Sequence, residues 1–196
     1  CAESFVTRMD AALARVWVLD PADDVLIMHG SAGLYTHTDG GHGRVPVGHL
    51  KIGHIAEAGK PHITGDLLND PLLGQKEWAK KNGLVSFYGY PMIVEDRVVG
   101  VLALFFKTKL RKEIIEPVAS LVSGIALSIE GERAEQALVE SEGKFRSYFE
   151  LGLIGMSLTS VEKGWIEANN YLCKLFGYEW NELKTKSWTE ITHPDD

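Results

Sequence analysis

Residues 84–107, LVSFYGYPMIVEDRVVGVLALFFK, contain the pattern that decides the fold. Two apolar runs, 84–94 and 98–107, flank the polar pair Glu95-Asp96, and this arrangement predicts two antiparallel strands joined by a tight turn. The second run is nearly continuous in valine, leucine and phenylalanine, which is typical of a strand covered on both faces. We therefore expect a β-hairpin at the centre of a sheet.

Further strands and short helices are predicted on the N-terminal side of this hairpin. Alternating apolar patterns predict strands at residues 13–19, 25–34 and 62–67. Helical spacing predicts helices at residues 5–9, 52–58 and 71–82, the last two followed by glycines. The strand at 13–19 is apolar on both sides except for Arg15, as in a central strand. The segment THTDGGHGRVPVG, residues 36–48, is polar and glycine-rich, which predicts a flexible loop.

A long helix is predicted from about Leu110, and it is apolar on two sides. A stripe with heptad-like spacing contains Ile115, Val118, Val122, Ile125 and Ile129, and a second stripe contains Ile114, Leu121 and Ser128. A helix with two apolar sides needs two partners. We expect one side to cover the sheet and the heptad-like stripe to pair with a second copy of the chain, giving a homodimer through residues 110–145.

The helix continues into a charged segment, EGERAEQALVESEGKFR at residues 130–146. Two interpretations are open, a solvated helix end or a signalling linker that continues the dimer contact. We favour the linker because a further patterned segment, residues 147–196, follows it. The pattern there predicts strands at 154–161 and 165–168 and short helices at 171–176 and 180–183, with Asn169 as an N-cap and Gly177 as a helix stop.

The composition is that of an acidic globular chain. It has 196 residues, 27 acidic and 20 basic side chains and a formal net charge of −7, which argues against a nucleic-acid partner. No apolar run approaches the ~18–20 residues that a transmembrane helix needs. Two cysteines, Cys1 and Cys173, cannot build a disulfide framework, so we expect a cytoplasmic protein. Because the chain starts with Cys1, we expect a piece of a longer protein.

The sequence lacks the common enzyme motifs, namely the GxxxxGK[ST] loop, HExxH and GxSxG. Six of the seven histidines lie within residues 29–62: His29, His37, His42, His49, His54 and His62. The pairs that are five residues apart fall on different faces of a helix or a strand, so we expect ordinary loop and surface histidines and no metal or haem site. A single histidine can still hydrogen-bond an organic ligand.

Four aromatic residues near the hairpin are candidates for a pocket between helix and sheet: Trp78, Phe87, Tyr88 and Tyr90. The alternative is an ordinary core, which is the commoner role of aromatic rings on strands. Tyr88 and Tyr90 point to the same side of their strand, and two buried hydroxyl groups on one face favour a cavity.

Two stretches resemble a GAF domain. VPVGHLKIGHIAEAGKPHITGDLLNDP, residues 45–71, is similar to the GAF stretch that runs from a VPxG turn through a short helix to an AExGKP stop, a strand and an Asn-Asp-Pro. GLVSFYGYPMIVEDRVVGVLALFFK, residues 83–107, is similar to the GAF hairpin. The resemblance implies an α+β fold for residues 1–129, a central antiparallel sheet flanked by helices, followed by a long C-terminal linker helix.

A second resemblance covers residues 147–196, which look like the first half of a PAS domain. The matching positions are Asn169, Gly177-Tyr178, Glu182-Leu183 and the terminal HPDD at residues 193–196. The preceding linker, residues 130–146, is similar to the helical signalling linkers found before PAS domains. Together the resemblances imply a GAF domain, a linker and a partial PAS fold.

Both families usually act as input modules of signalling proteins, so the resemblance implies a regulatory sensory module with a downstream output domain in cis. We expect the full-length protein to be a sensor histidine kinase of a two-component system, with a diguanylate cyclase as another possible output. The cyclic-nucleotide motif NKxnFxxxDE, the bilin-attaching cysteine and the flavin motif NCRFLQ have no counterpart, which leaves the cofactor unknown. Pocket cysteines of GAF-type methionine sulfoxide reductases are also absent, so we expect no enzyme activity in this fragment.

The resulting hypothesis is that the GAF domain senses an unidentified small molecule and relays the signal through a dimeric helix. The pocket candidates are Tyr88, Tyr90, Trp78 and His49. A bend of the helix is easiest near Pro117, which has no N–H to donate. Two alternatives are a ligand-free GAF module for dimerisation and spacing, and an enzyme with scattered active groups. A cavity of ~300 Å³ or more favours sensing.

Overall fold

The structure, a computed structural model of the chain, describes residues 2–109, 112–160, 162 and 164–191. It divides into two compact units, Cys1–Arg133 and Ala134–Asp196. The elements up to the long helix are α1 (Ala2–Met9), β1 (Leu13–Asp20), β2 (Val25–Gly33), β3 (Arg44–Pro46), α2 (Leu50–Ala58), β4 (His62–Thr64), α3 (Lys76–Lys81), β5 (Ser86–Val94), β6 (Arg97–Phe106) and α4 (Ile115–Leu151), with 3-10 turns at Leu67–Asn69 and Lys112–Ile114. The remaining elements are β7 (Ser157–Ser160), β8 (Gly164–Ala168), α5 (Asn170–Phe176), α6 (Trp180–Leu183) and α7 (Trp188–Ile191).

A six-stranded antiparallel sheet forms the centre of the first unit, in the order β3-β2-β1-β6-β5-β4. The predicted hairpin is confirmed, because β5 and β6 are neighbours and pair from Ser86 opposite Phe106 to Val94 opposite Arg97. The turn residues Glu95 and Asp96 have φ values of 48° and 63°, as a tight two-residue hairpin turn requires. The expected α+β class is therefore correct.

Helices cover both faces of this sheet and give it two cores. On the side that we call the α4 face, α1 and α4 pack on a core that includes Phe5, Tyr88, Tyr90, Leu102, Leu104, Val118 and Val122. On the opposite side, which we call the α2 face, α2 and α3 cover the sheet. The core between them includes Trp17, Leu26, Ile52, Ile55, Ala79, Phe87, Val101 and Ala103. Successive side chains on a strand point to opposite faces, so Phe87 and Tyr88 belong to different cores.

The apolar stripes of α4 have roles that differ from those expected. Val118 and Val122 are buried in the core of the α4 face, and Ile115, Ile125 and Ile129 pack against it. The heptad-like stripe, which was expected to pair with a second copy, therefore covers the sheet. Leu121, on the other predicted stripe, is 48% exposed. Pro117 lies in the first turn of α4, where its missing N–H costs no helical hydrogen bond.

Three predicted elements have different bounds in the structure. The loop predicted at 36–48 contains β3, which pairs with β2. The helix predicted at 71–82 is shortened to α3, because the Asp70 carboxylate accepts a hydrogen bond from the Leu72 backbone N–H at 2.9 Å and holds a turn there. The strand predicted at 62–67 is shortened to β4.

The second unit contains an antiparallel hairpin of β7 and β8 together with α5, α6 and α7. The predicted N-cap role of Asn169 is confirmed, and its buried side chain makes four hydrogen bonds, to the N–H groups of Met156 and Leu172 and to the carbonyl oxygens of Phe149 and Ile154. Gly177 ends α5 with a φ of 76°. The predicted HPDD motif at residues 193–196 lies outside the described residues.

A large share of the apolar surface in the second unit is exposed. The exposed side chains on and around the hairpin are Leu153, Ile154, Leu158, Ile166, Tyr171 and Leu175. Its core contains Trp165, Leu172 and Leu183. In the part of the chain that the structure describes, no helix combines the length and the apolarity that a bilayer crossing requires.

Candidate functional site

A cavity of about 460 Å³ opens on the α2 face of the first unit. Strand β1 contributes Arg15 and strand β6 contributes Phe105 to its lining. The first turn of α2 and the indole of Trp78 on α3 also line it, together with residues of the loop after β2 and of the segment before α3. Small-molecule sites in proteins usually have volumes of about 300–1,000 Å³, and this cavity falls within that range.

Aromatic rings form one wall of the cavity. The Trp78 indole N–H donates a hydrogen bond of 3.1 Å to the Tyr35 hydroxyl oxygen, and the two ring centroids are 5.9 Å apart. Trp78 also meets the edge of Phe105 at a centroid distance of 6.2 Å, and Phe105 contacts Phe87 at 4.9 Å. These contacts fix the rings in place, so the wall is formed before any ligand binds.

Arg15 is the cation that the cavity lining presents without a carboxylate partner. Its Nε donates a hydrogen bond of 3.3 Å to the Ser31 hydroxyl, and its guanidinium carbon lies 6.0 Å from the centroid of the Tyr35 ring. Burial lowers the pKa of Arg15, and the interaction with Tyr35 opposes that shift. Within the described residues it forms no ion pair with a carboxylate.

His42 belongs to the loop that closes another side of the cavity. The loop is held to the sheet because the Trp17 indole N–H donates a hydrogen bond of 2.8 Å to the His42 carbonyl oxygen. Burial lowers the pKa of the His42 side chain, the nearby positive charge of Arg15 lowers it further, and a hydrogen bond with Gln75 opposes both. The net decrease keeps this imidazole neutral at pH 7.

Lys51 lines the cavity too, but its charge is compensated. Its Nζ lies 2.7 Å from Oδ2 of Asp70, which also accepts a hydrogen bond of 2.7 Å from Nε2 of His62. The Lys51 and Asp70 side chains are only 8% and 2% exposed. Burial alone raises the pKa of Asp70, but the hydrogen bonds from Lys51, His62 and the Leu72 N–H outweigh it, so this pKa is lowered. Asp70 therefore remains ionised and neutralises Lys51.

The structure separates the four residues that the sequence suggested for the pocket. Trp78 lines the cavity, whereas His49 is the exposed N-cap residue of α2 and is not part of the lining. Tyr88 and Tyr90 are buried in the core of the α4 face, where the Tyr90 hydroxyl donates to the Ile115 carbonyl oxygen at 3.4 Å. The structure therefore does not bring the two tyrosines together with Trp78 at this cavity.

The physical reason is that alternation along a strand shows which residues share a face but not which face that is. Tyr88 and Tyr90 do share a face, and Phe87 lies on the other one, beside the cavity. Sequence reasoning missed Tyr35, Lys51 and, most importantly, Arg15. The one available signal was the charge of Arg15 within an otherwise apolar strand.

Metal binding finds no support among the described residues, which contain no group of three or more His, Cys, Asp or Glu side chains arranged to hold a metal ion. Six of the seven histidines are close in the sequence but do not form such a group. The cavity lining described above contains no cysteine and no aspartate or glutamate.

Comparison with known families identifies the first unit. The family model for the GAF domain matches residues 1–130, about two thirds of the chain, so the chain belongs to the GAF domain family. Among solved structures, the GAF domain of a phosphoenolpyruvate-protein phosphotransferase from Coxiella burnetii superimposes with a TM-score of 0.61 at 19% identity. The match covers 69% of this chain and 82% of that one, and it shows the shared fold.

Two curated proteins have similar segments. A probable diguanylate cyclase of Escherichia coli (strain K12) is 38% identical over 65 residues, which are 33% of this chain and 6% of that protein. A methyl sulfide methyltransferase-associated sensor of Methanosarcina acetivorans is 31% identical over 111 residues, which are 55% of this chain and 11% of that protein. The matched segments thus represent only a small part of each relative.

Proposed function

We propose that the GAF domain is the ligand-sensing part of a larger signal-transduction protein. The observation that carries this proposal is the 460 Å³ cavity on the α2 face, with its fixed aromatic wall. The similar segments in a diguanylate cyclase and in a sensor protein support a regulatory setting. A sensor histidine kinase in the cytoplasm is the output class that we favour, and a diguanylate cyclase is the other candidate.

The alternative of a ligand-free spacer domain is less well supported. Spacing alone does not require a cleft of this size lined by aromatic rings and an arginine, whereas a ligand site does. The cavity exceeds the ~300 Å³ at which small-molecule binding becomes the better explanation. An enzymatic role for the fragment is also less well supported, because the described lining offers neither a cysteine nor a carboxylate as a reactive group.

The route that we propose for the signal runs through the sheet to α4. The cavity and α4 lie on opposite faces of the same two strands, β1 and β6. A ligand that binds one packing of these strands more tightly than another shifts the equilibrium toward that packing, and with it the position of α4. The free energy of this shift cannot exceed the difference between the two binding free energies. Helix α4 then transmits the shift to the segments that follow.

We also propose that the outer side of α4 forms the homodimer contact. Leu121 and Leu127 are 48% and 64% exposed. Gly124 and Gly131 lie on the same side, and a Cβ added to either meets no atom within 4 Å. A glycine inside an exposed helix costs about 1 kcal/mol relative to alanine. Close approach of a second helix explains why glycine occupies these positions.

Residues 147–196 are proposed to be the beginning of a PAS domain. The support comes from the hairpin of β7 and β8 followed by α5 and α6, and from the N-cap network of Asn169, which connects the end of α4 to α5. This assignment predicts that the exposed apolar residues of the hairpin, Leu158 and Ile166, are covered in the full-length protein.

Native mass spectrometry of the freshly purified chain tests the sensing proposal. We expect protein ions that carry a retained small molecule, and loss of that added mass in a Leu73→Trp variant, whose larger side chain fills the cavity. Ile93→Trp, at an exposed position outside the cavity lining, is the matched control and should keep the ligand. If the wild-type chain carries no ligand, and no compound of a broad metabolite library raises its thermal midpoint, the spacer role is supported instead.

A further inference from the structure

We propose that the cavity of the GAF domain binds a small monoanion, a carboxylate on an aromatic or apolar body, and that Arg15 is its anion receptor. This inference rests on the proposed sensing function and names the chemical class of the ligand. It is carried by three features: an Arg15 side chain without a counter-charge, a lining that is otherwise electrically balanced, and an aromatic wall beside the guanidinium.

Arg15 has hydrogen-bond donors that the described residues leave unused. Its Nε donates to Ser31, but within the described residues the N–H groups of its two Nη atoms have no hydrogen-bond partner. An arginine fork matches the two oxygens of a carboxylate. None of the described side chains that are not exposed has a fully buried nitrogen or oxygen atom without a partner, so the Nη atoms of half-buried Arg15 are open to the cavity. Because Arg15 has no carboxylate partner within the described residues, an anion that enters the cavity can supply one.

The charges of the cavity lining are balanced except for that of Arg15. Lys51 is neutralised by Asp70 at 2.7 Å, and the lowered pKa of His42 keeps its imidazole uncharged at pH 7. His37 lies at the exposed rim, where solvent screens any charge. Arg15 therefore leaves about one positive charge inside the cavity. One charge suits a carboxylate, whereas a phosphate monoester carries nearly two negative charges at pH 7.

The aromatic wall indicates the shape and polarity of the remainder of the ligand. Trp78, Tyr35 and Phe105 present ring surfaces to the same cavity that contains Arg15. Leucine side chains from the segment before α3 add further apolar surface. A planar aromatic or branched apolar group can stack on these rings while its carboxylate reaches Arg15, so both ends of the ligand are recognised.

Isothermal titration calorimetry on the whole chain tests this assignment with defined probes. Benzoate, phenylacetate, indole-3-acetate and 4-methylpentanoate are compared with their primary amides, which keep the shape but lose the charge, and with phenyl phosphate. We expect at least one carboxylate to bind roughly 10–100-fold more tightly than its amide, the range expected for a hydrogen-bonded charge. The binding should weaken as salt is raised.

Variants of Arg15 separate a receptor from a purely structural residue. Arg15→Met should lose the preference for carboxylate over amide, and Arg15→Lys should retain part of it. The thermal midpoint of the ligand-free Arg15→Met protein should be equal to or higher than that of the wild type, because a half-buried charge without a counter-charge has been removed. A lower midpoint together with an unchanged carboxylate preference would assign Arg15 a structural role and overturn the proposal.

The remaining outcomes separate this inference from the sensing function. If amides bind as well as carboxylates, or phenyl phosphate binds best, the monocarboxylate assignment is wrong while the cavity still acts as a sensor. If no probe binds, but native mass spectrometry shows a retained neutral molecule, the assignment is again overturned and sensing stands. If no probe binds and no molecule is retained, both proposals fail.

Discussion

The two faces of the GAF sheet use the same strands for opposite purposes. On the α4 face, Tyr88, Leu104 and Val118 fill the interior, and the Tyr90 hydroxyl donates a hydrogen bond to the backbone carbonyl oxygen of Ile115. On the α2 face, the core reaches α3 through Ala79, but a cavity lined by Arg15 remains beside it. One face is therefore filled by packed side chains, and the other retains an open cavity.

The largest expected loss of stability comes from breaking the charge network of Lys51, Asp70 and His62 beside the cavity. Asp70→Asn leaves Lys51 buried without a counter-charge, so we expect a loss of about 3–5 kcal/mol in the free energy of unfolding. Urea denaturation at pH 7 measures it. The control is Asp23→Asn, which breaks the exposed pair with Arg44 and should cost less than about 1 kcal/mol. Equal losses for the two variants would mean that the Lys51 pair has no special structural weight.

A truncation in the filled core should cost almost as much. Leu104→Ala on the α4 face removes a fully buried side chain from a packed interior, and we expect a loss of about 2–5 kcal/mol in the free energy of unfolding. Leu73→Ala, at the wall of the existing cavity, should cost less than about 1.5 kcal/mol because it removes fewer packing contacts. The same denaturation assay compares them, and a larger loss for Leu73→Ala would reverse the assignment of the two faces.

The outer side of α4 offers a test of the dimer. Leu127→Lys places a charge on the exposed stripe, and we expect the homodimer to dissociate at least 10-fold more readily while the fold is retained. Sedimentation equilibrium measures the dissociation constant, and circular dichroism monitors the fold. Glu116→Lys, an exposed change of charge in the first turn of the same helix, is the control. A wild-type chain that is monomeric at all concentrations would contradict the proposed homodimer contact.

Lowering the pH should reduce the contribution of Asp70 to stability. Because the pKa of Asp70 is lowered in the folded state, its contribution is fully present above its ordinary value of 3.8 and is lost as the pH falls through the folded value. The difference in unfolding free energy between the wild type and Asp70→Asn should therefore be constant from pH 7 to about pH 5 and shrink below about pH 4. A difference that grows on acidification would contradict the assignment of Asp70 as an ionised residue.

The central hairpin and the element order could be predicted from the sequence because period-two alternation, glycine stops and tight turns are local signals. The face of each strand could not, since alternation groups Tyr88 with Tyr90 without showing which side of the sheet they occupy. The same limit hid the binding candidates: Arg15 lies on β1 and Trp78 on α3, and only the fold brings them to one cavity. Lys51 on α2 and Asp70 after β4 are likewise brought together only by the fold.

The α4 stripes illustrate a second limit. Spacing alone identified two apolar sides, but the contacts decide which one covers the sheet, and Ala126, a small residue that carries little signal in sequence, is fully buried beside Val122. The exposed side contains Gly124 and Gly131. The sequence does not show that a Cβ at either position would meet no other atom of the chain within 4 Å; only the structure does.

The most direct test of the central claim is a crystal structure of the chain with the tightest-binding carboxylate probe. The account predicts electron density for the probe on the α2 face, with its carboxylate within about 3 Å of the Arg15 guanidinium and its body against Trp78. Density for the probe elsewhere, or a cavity closed by inward movement of Trp78 with no room for a ligand, would contradict it.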